Sequence, residues 1–314
     1  MIVVTGGAGF IGSAVVRELL TRGYRVRVVD NMSKASSRVP EGVEFVRGDL
    51  ADPATARESF RGAKACINLA ARIGGIGYFH KLPATILSEN NCIYSSTFEA
   101  AVEHKLERMI FVSSSMVFES ATRFPSREDE LLSLPPPFTA YGFSKLIGEW
   151  YCRAFFDQHG LKSTICRPFN AIGPDEEAGE VVGEAHVIPD LVKKVLGGQH
   201  PLELLGDGKQ TRCFTHVRDI ARGIVMSLES ETAVNQDFNL GTAEEITMLE
   251  LARRIHALCA PERPFEVKYL PGFASDIRRR VPDGSKAKRL LGWEPTITID
   301  EGLRECVAAA RERR

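Results

Sequence analysis

Through the first half of the chain, apolar runs of strand length alternate with segments whose apolar residues recur every three or four positions. The runs lie at Ile2 to Thr5, Arg25 to Asp30, Val43 to Arg47, Ala65 to Leu69, Arg108 to Ser113 and Ser163 to Arg167. Runs rich in β-branched residues suit strands buried on both faces, and the helical segments between them predict a parallel sheet covered on each side. Helices are expected over 10–22, 53–60, 84–104 and 141–159. Asp52-Pro53 gives the second of these a capping carboxylate and then a proline at a position where no N–H is needed. The prolines at 135–137 stop any helix before Tyr141. After Pro168 the rhythm changes: an irregular stretch runs from Gly173 to Gly183, and helices are expected over about 187–197, 217–229, 247–259 and 300–312. The pattern predicts an α/β protein with a Rossmann-type doubly wound parallel sheet over 1–170. A smaller α/β lobe follows over 171–314, with some exchange of chain between the two.

Composition narrows this picture. Lysine and arginine number 40 against 41 acidic residues, a formal charge of -1, so nothing favours non-specific binding to nucleic acid or a membrane surface. An anionic ligand must be held by local arrangement. The seven cysteines are scattered without a CxxC pair, which disfavours a disulfide framework or a metal site and reads as reduced thiols. Residues 1–5 run straight into a glycine-rich turn, with no secretion signal, and no apolar run approaches membrane-spanning length. A soluble, cytoplasmic protein is expected.

The first turn carries the first chemistry. Gly6, Gly9 and Gly12 in TGGAGFIG follow the first strand and open the first helix, where a pyrophosphate needs a tight turn, close backbone approach and a helix N-terminus. Asp30 ends the second strand 18 residues beyond Gly12, placed to accept from ribose hydroxyls and to repel a 2′-phosphate, so NAD is favoured over NADP. Tyr141 and Lys145 in YGFSK are four residues apart and share one helix face. A phenol is a poor base at neutral pH, but an ammonium and a positive nicotinamide ring beside it would favour the phenolate. Ser113, Ser114 and Ser115 close the fifth strand, at the sheet edge where ligands of such folds bind.

These motifs, with RGDL at 47–50, NLAA at 68–71, SSSMVF at 113–118 and RPFNAIGP at 167–174, resemble the extended short-chain dehydrogenase/reductase family. The resemblance continues through GDGKQTRCFTHVRDI (206–220), DIRRRVPD (276–283) and LLGWEPTITIDEGL (290–303), and is specific for nucleotide-sugar epimerases and dehydratases. It implies that Ser114 hydrogen-bonds the reacting hydroxyl, Tyr141 takes its proton, and Lys145 holds the nicotinamide ribose. Around NAD it places Gly6, Gly9, Phe10, Ile11, Gly12, Asp30, Asn31, Asp49, Leu50, Leu69, Ala70, Ala71, Asn91 and Phe169 beside the catalytic pair. For a nucleoside-diphosphate sugar it implies Ser115, Met116, Asn170, His186, Val187, Leu204, Arg212 and Arg278, with Asn170 and Arg212 on the diphosphate and Arg278 on the nucleotide. It also implies a homodimer built on the helices at 84–104 and 141–159, with Ile86, Ile93, Phe98 and Leu146 offering apolar surface.

Which member of the family this is turns on Met116. In the 4,6-dehydratases of the family, Asp-Glu follows the catalytic Ser or Thr; here Ser115-Met116 stands there, and a thioether moves no proton. The segments ARIGGIGYF (71–79) and QTRCFT (210–215) look like GDP-mannose 3,5-epimerase, and HVIP (186–189) looks like GDP-fucose synthase. Those enzymes exchange protons at C3 and C5 with a cysteine at the Met116 position, and in the fucose enzyme a histidine stands at that of His186. The chain keeps His186 and lacks the cysteine. What remains complete is the machinery to oxidise and re-reduce one carbon, so a 4-epimerase is expected. A 3,5-epimerase using His186, a dehydratase or decarboxylase, and a non-enzymatic nucleotide sensor are the alternatives. The loop at 173–185 is expected to help choose the sugar.

Overall fold

The computed structural model describes residues 1–314 apart from 35–36, 75–80, 179–185 and 273–276. A seven-stranded sheet is built from β1 (Ile2–Thr5), β2 (Val26–Asp30), β3 (Glu44–Arg47), β4 (Ala65–Asn68), β5 (Arg108–Val112), β6 (Ser163–Pro168) and β11 (Asp237–Leu240). All pairings are parallel, in the order β11-β6-β5-β4-β1-β2-β3. The chain runs from β1 outward to β3 and then from β4 outward the other way, so the order reverses between β1 and β4. A crevice opens at such a switch point, outside the carboxyl ends of the strands.

Each face of this sheet carries helices. On one, α1 (Phe10–Thr21), α6 (Val217–Glu229) and α8 (Ser285–Leu291) cover the strands, with Val15, Leu19, Ile220 and Ile224, and Trp293 just beyond α8, in the core between them. On the other, α2 (Pro53–Ser59), α3 (Pro83–Glu103) and α4 (Ala140–His159) bury Phe60, Tyr94, Phe98, Phe111 and Cys152. The strands are short and apolar because water reaches neither face, except at the β3 edge, where Glu44, Phe45 and Arg47 are exposed. The six expected strands form, and β11 joins them from sequence after Pro168. Its DFNL alternates polar and apolar residues and so did not announce a strand of this sheet.

The remaining elements gather around another core. Helices α5 (Val187–Leu196), α7 (Met248–Cys259) and α9 (Ile299–Glu312) enclose Leu191, Val195, Leu251, Ile255 and Leu303, with the short strands β8 (Leu202–Leu205) and β13 (Val267–Leu270) alongside. A further pair, β9 (Thr211–Cys213) and β12 (Glu245–Thr247), is antiparallel. The link between the two regions includes β7 (Ala171–Ile172) beside β10 (Thr215–His216). All seven cysteines are free thiols. Among the described residues, no helix is long and apolar enough to cross a membrane.

Three of the residues expected to face a second copy belong instead to this chain's own core. Ile86 and Phe98 are wholly buried, Ile93 nearly so, and Leu146 is half-buried. Their helices pack face to face, and apolar side chains between two helices are consumed by that contact. The large apolar side chains exposed on α4 are Phe143, Trp150 and Phe156.

Candidate active site

The glycine-rich turn has the shape of a phosphate cradle. Gly6 leaves β1 with φ of 66°, in the left-handed region, and Gly9 caps α1 without a side-chain hydrogen bond. A Cβ at Gly12 would lie 2.1 Å from the Gly6 carbonyl oxygen, so the helix starts as close to the strand as backbone allows. The first N–H groups of α1 therefore face the crevice with no side chain between them and a ligand. Asp30 closes the cradle: its carboxylate accepts from Ala8 N at 3.1 Å and Met32 N at 2.8 Å. Asn31 reaches Asp49 at 3.4 Å, Asp49 accepts from Ala51 N at 2.9 Å, and Leu50 is buried beneath them. Leu69 N and Ala70 N donate to Thr5 Oγ1 at 3.1 and 3.2 Å, which holds Leu69-Ala70-Ala71 against the glycine turn. Phe10 and Ile11 open α1, half-buried. These residues fit a dinucleotide.

Two expected cofactor contacts lie elsewhere. Phe169 is wholly buried, packed on Phe118 at 6.1 Å between ring centroids, and does not line the crevice. Asn91 is on the exposed side of α3, accepting from the Tyr151 hydroxyl at 3.3 Å. Its neighbour Asn90 turns inward instead: Oδ1 accepts from Arg72 N at 2.6 Å and Nδ2 donates to Ser144 Oγ at 3.0 Å. A one-residue shift rotates a helical side chain by about 100°, and the ENN run did not say which asparagine points in.

The side chains expected to be catalytic come together at one place. Ser114 follows β5 and caps a 3-10 turn over Ser115–Phe118, its Oγ accepting from Met116 N at 3.2 Å, and its hydroxyl hydrogen-bonds the Tyr141 phenol. Tyr141 sits in the first turn of α4, which Thr139 caps by accepting from Gly142 N at 3.0 Å. Glu119, buried, accepts from Thr139 N at 2.8 Å and Thr139 Oγ1 at 2.5 Å, and burial pushes its carboxyl up. A Cβ at Gly142 would lie 2.7 Å from the Met116 carbonyl oxygen, so glycine lets the 3-10 turn approach the helix. Lys145 donates to the Val112 carbonyl at 2.8 Å inside a box of aromatic rings, Phe111 at 5.3 Å and Tyr94 and Tyr141 at 5.9 Å from its Nζ.

The electrostatics differ from expectation. Burial drives the Tyr141 phenol up, opposed by the Ser114 hydrogen bond and the charge of Arg280; burial also drives Lys145 down to about 7, opposed by Glu149. The lysine thus does not stand as a full cation that draws the phenol down. Arg280 supplies positive charge instead: half-buried, it donates from Nη1 to Ser115 Oγ at 3.1 Å. Three consecutive arginines, 278–280, left the inward one unmarked.

The side chains expected on the nucleotide sugar are more dispersed. Asn170, with φ of 37°, donates from Nδ2 to the Cys213 carbonyl at 2.8 Å and so ties β7 to the second core. Arg212 is half-buried and donates to the Thr211 carbonyl at 2.8 Å. Arg278 is exposed and pairs through both terminal nitrogens with Asp207 at 3.1 and 3.0 Å. Leu204 is buried in β8 within the second core. Met116 is half-buried, and Val187 starts α5. His186 caps that helix exposed, its Nδ1 paired with Glu176, whose charge holds the imidazole above its usual range. Most of the ARIGGIGYF segment and residues 179–185 of the 173–185 loop lie outside the described residues.

Known proteins share this architecture. The NAD dependent epimerase/dehydratase family is matched over residues 2–241. The chain is 32% identical over 320 residues to the UDP-N-acetyl-alpha-D-glucosaminuronate decarboxylase of Bacillus cytotoxicus, covering 98% of this chain and 97% of that one. The UDP-glucose 4-epimerase of Thermotoga maritima, solved with UDP-glucose, is 30% identical with a TM-score of 0.90 over 99% of both chains. The Thermus thermophilus UDP-glucose 4-epimerase, solved with NAD, is 30% identical with a TM-score of 0.87 over 99% of this chain and 98% of that one.

Proposed function

The chain belongs to the NAD-dependent epimerase/dehydratase family, and we propose that within it the protein is a nucleotide-sugar 4-epimerase working through a transient 4-keto sugar. The observation that carries this reading is the company of the phenol. Ser114 and Tyr141 are hydrogen-bonded above Lys145, while the residue beside them that would have to move a proton at a neighbouring carbon is the thioether Met116. Ser114 orients the sugar 4-hydroxyl and Tyr141 takes its proton, returning it when the carbonyl is reduced from the opposite face. Bound NAD supplies the reversible hydride acceptor, so sugar and cofactor end in the oxidation states in which they began. Asn170 and Arg212 would hold the diphosphate during the turn of the sugar, arginine's fork being suited to phosphate.

Arg280 favours a second reading, in which the sugar is a uronic acid. A guanidinium on Ser115, felt by the Tyr141 phenol, is suited to pair with a sugar carboxylate, and the Bacillus cytotoxicus relative is a decarboxylase of a nucleotide uronate. A 4-keto uronate is a β-keto acid and loses carbon dioxide readily. Turnover of a panel of neutral and uronic nucleotide sugars, with assay of carbon dioxide, separates the readings: C4 inversion alone supports the epimerase, and carbon dioxide release supports the decarboxylase. No product from any member would leave a nucleotide sensor. Two copies would pair through α3 and α4, with Phe143 and Trp150 supplying the apolar contact; a monomer by light scattering at micromolar concentration would count against pairing.

A further inference from the structure

Ser114 and Tyr141 come from different elements, and Glu119 touches both. Ser114 caps the start of the 3-10 turn, and Glu119 follows its end, donating from its N to the Met116 carbonyl at 3.3 Å. Two residues before Tyr141, Thr139 caps α4: its Oγ1 accepts from Gly142 N at 3.0 Å and its carbonyl from Phe143 N at 2.9 Å. The Glu119 carboxylate, 6% exposed, takes both donors of that cap. Oε2 accepts from Thr139 N at 2.8 Å, and Oε1 accepts from Thr139 Oγ1 at 2.5 Å. Because the hydroxyl hydrogen goes to Glu119, the oxygen is left to face Gly142 as an acceptor. One carboxylate thus joins the turn that starts at Ser114 to the helix turn that carries Tyr141.

The two turns also meet in direct contact. A Cβ at Gly142 would lie 2.7 Å from the Met116 carbonyl oxygen, 2.9 Å from Pro137 Cβ and 3.1 Å from the Glu119 carboxyl carbon. Gly142 puts no side chain between the turns, so the bonds to Glu119 draw them together. A carboxylate withdrawn from water is costly, and burial pushes this one up, opposed by the Thr139 bonds and the charge of Arg280. For stability alone, an apolar side chain would fill the position at lower cost. We propose that Glu119 is a positioning residue acting through Thr139: it seats the first turn of α4 against the 3-10 turn and so fixes the separation of Ser114 and Tyr141.

The proposal rests on the reading of Ser114 and Tyr141 as the groups that handle the reacting hydroxyl. A proton passes between oxygens held within hydrogen-bond reach, and a displacement of about 1 Å can cost about a hundredfold in rate. Three substitutions grade the brace. Glu119→Ala removes both acceptors. Thr139→Val keeps the backbone donor and the shape of the side chain but loses the hydroxyl, and Thr139→Ser keeps both donors.

The test compares these variants with wild type, all saturated with NAD. Crystal structures give the separation of Ser114 Oγ from the Tyr141 phenol oxygen, expected to lengthen by about 1 Å in Glu119→Ala, by less in Thr139→Val, and to be recovered in Thr139→Ser. On a nucleotide sugar that wild type turns over, kcat is expected to fall about tenfold to a hundredfold for Glu119→Ala while KM stays within about twofold. Thr139→Val should lose part of that rate and Thr139→Ser recover it. A merely stabilising brace would lower Tm and leave the separation and kcat of the folded protein in place. That result, or a raised KM with kcat intact, overturns the proposal. Should Glu119→Ala not fold, Thr139→Val decides: a separation and kcat equal to wild type overturn the proposal. If wild type turns over no nucleotide sugar, the assigned function fails, and the separation by itself decides the role of Glu119.

Discussion

At the carboxyl end of β5, Tyr141 and Lys145 are almost wholly buried and Ser114 half-buried, each fixed by a neighbour on an adjoining strand or turn. His186, Arg212 and Arg278, on the second core, are exposed or half-buried and spend their hydrogen bonds on nearby loops: Glu176, the Thr211 carbonyl and Asp207. The first set is rigid before any ligand arrives, as a site that must align a proton transfer requires. To hold a ligand, the second would have to exchange its present partners. The contrast teaches that the groups proposed for the redox step are braced by the fold, whereas those expected on the sugar are held only by nearby loops.

Substitutions can break this contrast. The largest effect is expected for Tyr141→Phe, which should lower kcat at least about a hundredfold while NAD binding, followed by titration, is kept, because only the proton-moving oxygen is lost. Near-normal turnover would remove Tyr141 from its role. Arg280→Leu comes next: although its residue arrives from the C-terminal segment, it belongs by its contacts to the buried set, and kcat/KM should fall about tenfold to a hundredfold. A value near wild type would place Arg280 among the packing residues. Asp30→Ala should weaken NAD by about tenfold and relax discrimination against NADP; equal NAD affinity in calorimetry would show that the ribose is held elsewhere. Arg278→Leu sharpens the comparison from the other side. Its exposed pair with Asp207 implies a change under about fivefold in kcat/KM, and a larger loss would return it to the substrate.

Much of the buried half was legible in the sequence. TGGAGFIG, Asp30 and the i, i+4 pair Tyr141 and Lys145 declare themselves because local spacing fixes their geometry. The same stripe reached Glu149, but a buried glutamate is intelligible only once β6 brings Arg167 opposite it. Asn90 and Arg280 were missed for a different reason: each sits in a run of identical residues, ENN and RRR, where composition is plain and direction is set by tertiary contact. The interface residues misled because periodicity marks an apolar face without naming its partner, and Ile86 and Phe98 find theirs inside the chain.

The central claim is that one carbon is oxidised and re-reduced with no proton exchanged at its neighbours, and incubation of an accepted nucleotide sugar in D2O tests it most directly. With Met116 beside the Ser114 and Tyr141 pair, the account predicts a product inverted at C4 that carries no carbon-bound deuterium by NMR. Deuterium at C3 or C5 would contradict it and make His186 the acid or base to examine.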